Sequence, residues 1–533
     1  MSPATLTAGS ADGFLRWANH RSEAIRRARS ARLRVLLGAL AVPPAQTTET
    51  LVAQLRERLA NPSADELWLA LAVLTATLPG PSAVERAMRS CRLDGPLAAF
   101  DEALHARSLA GYLRHRRDLE LSEVVVLTGE VVVDLHNTAS TTITTGIQRV
   151  ARETAKRWQR THAPVFVAWH PRRAALVRLT QHETAGEAPA IGVATQSPGA
   201  DRAVLVPWRC TYVLPELMAE LPRVAALQGL FRYSGSTSAA IGYDCVPLMV
   251  PETVASDAVV NGFAAMLAGL SHADRIATIS EAAAVEYRGW RRMLAGAGLT
   301  GPHIAAVPLP VHADRPTRTT LEQARARFLT DELPMVLAVG SHEPRKNHLA
   351  VLHAARLAWR DGVRFGLAFI GGAGWGADTF RREVEELQGA GHPVEVHADV
   401  ADDQLWAAYA LARCTLFPSL DEGFGLPIAE SLACGTPVIT SNYGSTLELA
   451  AGGGALLVDP RDDHDIARAI ERLVTDDRLH AVLRKQALVR HDRTWDQYAE
   501  AAWDYLVLGK VRPSDDVRRT LAAIPGRRGY EQS

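Results

Sequence analysis

The stretch FPSLDEGFGLPIAE, Phe417–Glu430, sets two glutamates eight positions apart around two glycines and a proline. Just before them CTLFPS reads as a short buried strand, and PIAESLAC after them reads as a helix. Pro427 suits a first helical position, where its fixed φ is already helical and no amide hydrogen is needed. Gly435 and Pro437 stop the helix after about two turns. Gly423 and Gly425 let the backbone approach a ligand closely, and a helix start carries roughly +0.5 of an elementary charge. A strand, a glycine turn and a helix start therefore make a site for an anionic group. Glu430, placed in the first turn, can accept hydrogen bonds from paired hydroxyls, and Glu422 can reach a second polyol. Alone, Glu430 would be explained as a partner of the helix dipole, worth up to about 1 kcal/mol. Beside Glu422 and both glycines, a ligand role is favoured.

Outward from this stretch the same alternation repeats. PMVLAVG, FGLAFIGG, VEVHA, CTLFPS, PVITS and GALLVDP are each followed by a turn or helix, which predicts βαβ units and a parallel sheet over 316–490. A bridge, PLPVHADRPTRTT, separates this block from an earlier one over 121–315, with EVVVDL, PVFVAW, RAVLVPW and RIATIS. The expected fold is α/β, with two Rossmann-like doubly wound domains facing each other across a cleft. An all-helical region over 1–120 precedes them, broken by prolines in VPPAQ and LPGPSA. Residues 491–510 read as a C-terminal helix returning toward the first domain, and 511–533 as a polar, Arg-rich mobile tail.

Composition narrows the function. At 533 residues the chain exceeds a single core and fits about three domains. A net charge of -1 offers no whole-chain attraction for nucleic acid. The five cysteines are scattered without a C-x-x-C pair, which argues against a disulfide framework or zinc site and fits a reducing cytoplasm. No apolar run reaches the ~18 residues of a membrane span, and no signal-peptide core opens the chain. The abundance of Ala and Arg suggests a bacterial source with a GC-rich genome.

A second motif, VGSHEPRKNHLAVLHAA, places Arg345 and Lys346 between a strand and a helix. Two cations there suit a diphosphate, Arg as a fork and Lys as a point charge. Together with HADVADDQLWAAYALA, LFPSLDEGFGLPIAESLACGTPVITSNYGSTLELAAGGGALLVDP and RTWDQYAEA, these motifs resemble glycosyltransferase family 4, the retaining transferases of the two-Rossmann GT-B fold. Glu422 and Glu430 match its E-x7-E signature. The resemblance implies that Glu422 contacts hydroxyls of the donor sugar and Glu430 holds the ribose of the nucleotide. It implies that Arg345 and Lys346 neutralise the departing diphosphate, that Gly423, Phe424, Gly425 and Leu426 offer backbone amides, and that Val400 meets the nucleobase. In the first block TTGIQRV resembles the family's glycine loop, which puts Gly146 and Ile147 near the donor phosphates or the acceptor. IGYDCVPLMVPE keeps Asp244 where the family usually reads His-Asp, with Tyr243 in the histidine's place.

The implied activity is sugar transfer from a nucleotide-diphosphate sugar to a glycan, lipid-linked or small-molecule acceptor. GDP-mannose is the first choice of donor, because EPRKN resembles bacterial mannosyltransferases. No D-x-D motif stands in a donor loop, so no metal or other cofactor is expected. Two rivals come from other classes: a non-catalytic scaffold that binds nucleotide sugar, and an NAD-dependent oxidoreductase. The second rests on GGAGWGA (Gly372, Gly374, Ala377) with Glu395 beyond, a dinucleotide-like spacing that falls on the second strand of its block rather than the first. In GSTLEL, Ser445 and Glu448 read as a capping box. In ADRIATISEAAAVEY, Ser280 reads as a helix cap and Glu281 as its dipole partner. The segment Arg16–Val35 holds seven arginines and one glutamate. It could rest on the inner face of an anionic membrane, but its apolar residues make no clean stripe, which favours a helix packed on its neighbours.

Overall fold

The computed structural model describes residues 13–105, 120–140, 146–171, 174–180, 203–218, 220–310, 313–328, 333–489 and 493–510. The expected tail over 511–533 lies outside them.

The second sheet is the simpler. Its strands β10 (Met335–Val339), β11 (Gly366–Ile370), β12 (Val394–His397), β13 (Cys414–Phe417), β14 (Val438–Ser441) and β15 (Ala455–Val458) run in the order β12-β11-β10-β13-β14-β15, all parallel. The four inner strands β10, β11, β13 and β14 are near-continuous apolar runs because both of their faces are covered, while the edge strands β12 and β15 are partly exposed. On β10, Val336 and Ala338 join one core with the His348–Arg360 helix, while Met335, Leu337 and Val339 join another with Trp406 and Tyr409. All six strands fall on the runs named above. The order reverses between β10 and β13, so the loops after those two strands open into one crevice.

The first sheet is built from β1 (Val124–Leu127), β2 (Val131–Asp134), β3 (Val165–Trp169), β4 (Leu176–Arg178), β5 (Val204–Pro207), β6 (Thr211–Leu214), β7 (Thr237–Gly242), β8 (Arg275–Thr278) and β9 (His303–Ala306). Its order is β1-β5-β4-β3-β2-β6-β7-β8-β9, with β4 antiparallel to both its neighbours. Val124 pairs with Val204 and Val131 with Thr211, the same 80-residue offset. β1–β2 and β5–β6 are thus two long paired strands, each bent at one place. The bend falls where Gly129 (φ 72°) faces Arg209 (φ 52°), with the Gly129 amide donating to the Arg209 carbonyl at 3.2 Å. Left-handed backbone at both partners lets the ladder turn without losing register.

The strand segments beyond the bend explain the helical region. Helices Glu23–Ala39, Thr48–Arg58, Ala64–Thr75, Pro81–Asp94 and Pro96–His105 share one core with Val124, Leu205, Val206 and Trp208. Two arginines of the basic segment bolt the layer down. Arg29 is buried, pairs with Glu120 at 2.7 Å and lies over the Trp17 ring. Arg32, equally buried, donates to the Leu74 and Ser122 carbonyls at 3.0 Å each. Packing, rather than a surface role, accounts for these two residues.

The helix Trp495–Leu506 crosses back to the first unit. The Trp158 indole of the Gly146–Thr161 helix donates to the Ala499 carbonyl at 2.8 Å, and His162 stacks on Trp503 at 3.9 Å. No helix of the described residues is long and apolar enough to cross a membrane.

Candidate active site

The loops after β10 and β13 are stitched together. Arg345 and Lys346 sit in a 3-10 turn, Pro344–Lys346. Asn347, at φ 59°, begins the next helix and donates to the Pro418 and Pro460 carbonyls at 3.1 and 2.7 Å. The Leu420 amide donates to the Arg345 carbonyl at 2.9 Å, and Arg345 donates to the Asp421 carbonyl at 2.9 Å. The Glu422 Oε1 atom receives Arg345 Nη1 and Lys346 Nζ, each at 2.7 Å, and the Ser419 hydroxyl at 2.7 Å. Lys346 also lies 4.8 Å above the Phe417 ring. Burial alone would raise the Glu422 pKa, but Arg345 and Lys346 outweigh it and hold the carboxyl at about 2. Burial pulls the Lys346 ammonium down even though Glu422 opposes this. Arg345, a guanidinium that stays charged, is the firmer partner.

Glu430 departs from expectation. The helix runs Leu426–Ala433 with Gly425 (φ 98°) as its N-cap, so Pro427 is the second helical residue and Glu430 the fifth. Glu430 lies past the first turn, where dipole compensation fades. It is buried, and it accepts Arg149 Nη1 at 2.6 Å and the Tyr409 hydroxyl at 3.0 Å. Burial raises its pKa, against the opposing pull of Arg149 and Tyr409. Arg149 comes from the first unit and was not singled out by sequence. The signal was present in TTGIQRV, since three residues along a helix bring Arg149 beside Gly146.

The two units meet at the glycines. A Cβ on Gly423 would stand 2.8 Å from the Tyr243 carbonyl oxygen and 3.0 Å from Asp244 Cβ, and one on Gly146 3.2 Å from Leu426 Cδ1. Ser280 donates to the Gly423 carbonyl at 2.6 Å while accepting the Ala283 amide as a helix cap. Tyr243 donates to the Pro215 carbonyl at 2.6 Å and the Ile147 carbonyl at 3.3 Å, a structural tie. Asp244 is raised by burial, with Arg345 pulling it down. Its neighbours Asp421 and Glu286 are pushed up by burial to about 6 and about 7. Phe424 is buried in the core, so a ligand would meet only its backbone. Val400 is half-buried and packs against the core that holds Trp406 and Tyr409, the tyrosine that bonds Glu430. A cavity of about 340 Å³ in the helical layer, lined by Leu71, Thr77, Arg86 and Glu102 among others, shares no residue with this site.

In the dinucleotide-like run, packing accounts for Gly374 and for the adjoining Gly371. A Cβ on Gly374 would stand 2.6 Å from Glu343 Cγ, and one on Gly371 2.0 Å from the Gly340 carbonyl oxygen, so these glycines seat the β11 loop on the β10 loop. Glu395 bonds His397 at 3.0 Å. The capping box is corrected: the helix Gly444–Ala450 has Tyr443 as N-cap with no side-chain cap. Ser445 instead donates to the Glu422 carbonyl at 2.7 Å. Glu448 caps a helix of the other unit, accepting the Glu281 and Ala282 amides at 3.1 and 3.0 Å.

Comparison with known proteins bears on the loops just described. Residues 321–490 match the family model described as glycosyl transferases group 1. Serotype-specific mannosyltransferase WbdA of Escherichia coli is 26% identical over 387 residues, covering 70% of this chain and 46% of that protein. O-antigen chain mannosyltransferase B of Escherichia coli is 35% identical over 155 residues, 29% of this chain and 40% of that protein. The chain thus spans less than half the length of these curated relatives. Among solved structures, WaaG, a glycosyltransferase involved in lipopolysaccharide biosynthesis, aligns with a TM-score of 0.48 at 15% identity, over 71% of this chain and 99% of that one. The group 1 match contains both the Arg345–Lys346 turn and the glutamate pair.

Proposed function

We propose that the chain is a retaining glycosyltransferase of the family 4 type that moves a sugar from a nucleotide-diphosphate donor to a saccharide acceptor without a metal. One observation carries the reading. Arg345 and Lys346 meet Glu422 at the switch point of the second sheet, where the starts of the Leu426–Ala433 and Gly146–Thr161 helices also converge. The donor diphosphate would replace Glu422 as the partner of the two cations. The freed carboxylate would then turn to the sugar hydroxyls. As the anomeric bond breaks, Arg345, Lys346 and the helix starts stabilise the charge growing on the leaving phosphate. With Glu422 held on the sugar hydroxyls, retention would follow from front-face attack guided by the leaving phosphate. The similarity to mannosyltransferases keeps GDP-mannose as first donor, and Asp244, at the first unit's side of the cleft, would face the acceptor.

Calorimetry of purified protein against GDP-mannose and other nucleotide sugars, without metal, tests this. One sugar nucleotide should bind, and Glu430→Ala should weaken it about tenfold or more, the loss of charge-assisted hydrogen bonds worth ~1.5–3 kcal/mol. Glu422→Ala should mainly reduce transfer. Equal loss of binding in both variants would overturn the division of roles. Binding without transfer to any acceptor would leave a scaffold.

A further inference from the structure

Glu430 is 7% exposed, and the cation that answers its charge belongs to the other unit. Arg149 stands in the first turn of the Gly146–Thr161 helix, one-third exposed, with Nη1 2.6 Å from Glu430 Oε1 and its guanidinium 5.7 Å from the Trp406 ring centroid. Tyr409 takes one site on Oε2. An ionised carboxylate has about four acceptor sites, so Arg149 and Tyr409 leave one on each oxygen. That is the pattern two vicinal hydroxyls require. The same arginine therefore balances the carboxylate's charge while leaving its diol-binding edge in use, and it does so only when the two units are together.

We propose that Arg149 is a positioning residue for the donor, holding the Glu430 carboxylate as an aimed anion so that the nucleotide ribose is captured only across the closed cleft. The proposal rests on the donor-site reading above. Around Glu430, Arg149 faces it from the first unit and the Tyr409 hydroxyl and Asp402 from the Asp402–Leu411 helix. The Cys434 thiol stands beside it at the end of its own helix. Asp402 and burial favour the neutral acid, and Arg149 opposes them most strongly among the partners. Removing Arg149 therefore raises the pH at which the acid ionises, whereas lysine keeps the charge.

The test is calorimetric binding of GDP, UDP and ADP, each with its 2′-deoxy counterpart, to wild type, Arg149→Met and Arg149→Lys between pH 5.5 and 9. For the ribonucleotide that wild type binds best, Arg149→Met should lose about tenfold or more at pH 7, the scale of a charge-assisted contact. It should recover as pH rises, and Arg149→Lys should retain most of the affinity. Wild type should prefer the ribonucleotide over its 2′-deoxy form. If Arg149→Met matches wild type at every pH, or loses affinity equally at every pH with no rescue by lysine, the positioning role is wrong and the donor site stands. If wild type binds none of the diphosphates, the donor reading fails and this inference with it.

Discussion

The two sheets obey the same doubly wound logic but take different parts in the site. The second is parallel throughout and covered on both faces, and it brings Arg345, Lys346, Glu422 and Glu430 to one crevice between β10 and β13. The first bends at Gly129 and Arg209, carries an antiparallel strand and devotes its outer segments to a helical layer. Its share of the cleft is sparse: a glycine at a helix start, Arg149, Asp244 and the cap Ser280. One unit supplies a preformed charge cluster. The other supplies the residues that touch it across the cleft.

The largest effect should come from the charge cluster. Lys346→Ala removes a fixed cation from the place where phosphate charge would grow, and kcat for sugar transfer should fall ~10²–10³-fold, the scale seen when one preorganised donor is lost. The same variant has a signature in acid. Glu422 is held near 2 in the folded chain, below its ordinary 4.5. The stability it contributes is thus fully present above about 4.5 and is lost as pH falls toward 2. With Lys346 gone the folded value rises, so less of this stability exists and acid unfolding should begin no lower than in wild type. Steady-state kinetics and acid melts check the two parts separately. A Lys346→Ala protein with wild-type kcat would remove Lys346 from the chemistry and leave Arg345 and the helix starts to stabilise the leaving phosphate.

Next comes the seat between the units. Gly423→Ala drives a methyl against the Tyr243 carbonyl and Asp244, and a well-packed contact forced apart costs ~1–3 kcal/mol. Gly372, from the dinucleotide-like run, has open space at the same test. Gly372→Ala should therefore leave melting and activity near wild type, while Gly423→Ala lowers both. Equal behaviour of the two would mean that closure does not depend on this contact.

The same asymmetry decides what could be read from sequence. β10, β11, β13 and β14 were legible because a strand buried on both faces is an unbroken apolar run, and runs such as Met335–Val339 can be little else between a proline and a glycine. The half-exposed edge strands β12 and β15 were legible only from the repeat of the alternation. In the first sheet, EVVVDL, PVFVAW, RAVLVPW and RIATIS marked β2, β3, β5 and β8. β1, β4, β6, β7 and β9 went unmarked: Leu176–Arg178 is three residues long, and Thr237–Gly242 is rich in small residues with no alternation. The glutamate and basic motifs were local and visible. Arg149 and the true partner of Glu448 were not, because each acts on a group in the other unit, 281 and 167 positions away, and local spacing holds no record of that. Glu448 illustrates the failure. S-x-x-E predicts a bond three residues back, and the side chain instead reaches a helix start whose free amides compete for the same carboxylate.

That competition sets the smallest expected effect. Glu448→Ala should cost the Glu281–Gly296 helix a cap from outside, in the range ~0.5–2 kcal/mol found for N-caps. The low end is expected, because Ser280 still receives the Ala283 amide at 3.0 Å. The loss belongs to the closed arrangement alone, since the carboxylate and the helix start lie on different units. Glu448→Ala should therefore widen the solution envelope measured by small-angle scattering, or weaken donor binding a few-fold, with little change in melting temperature. A drop of many degrees in melting with an unchanged envelope would show that Glu448 stabilises its own unit after all, and would return it to the local role that its sequence suggests.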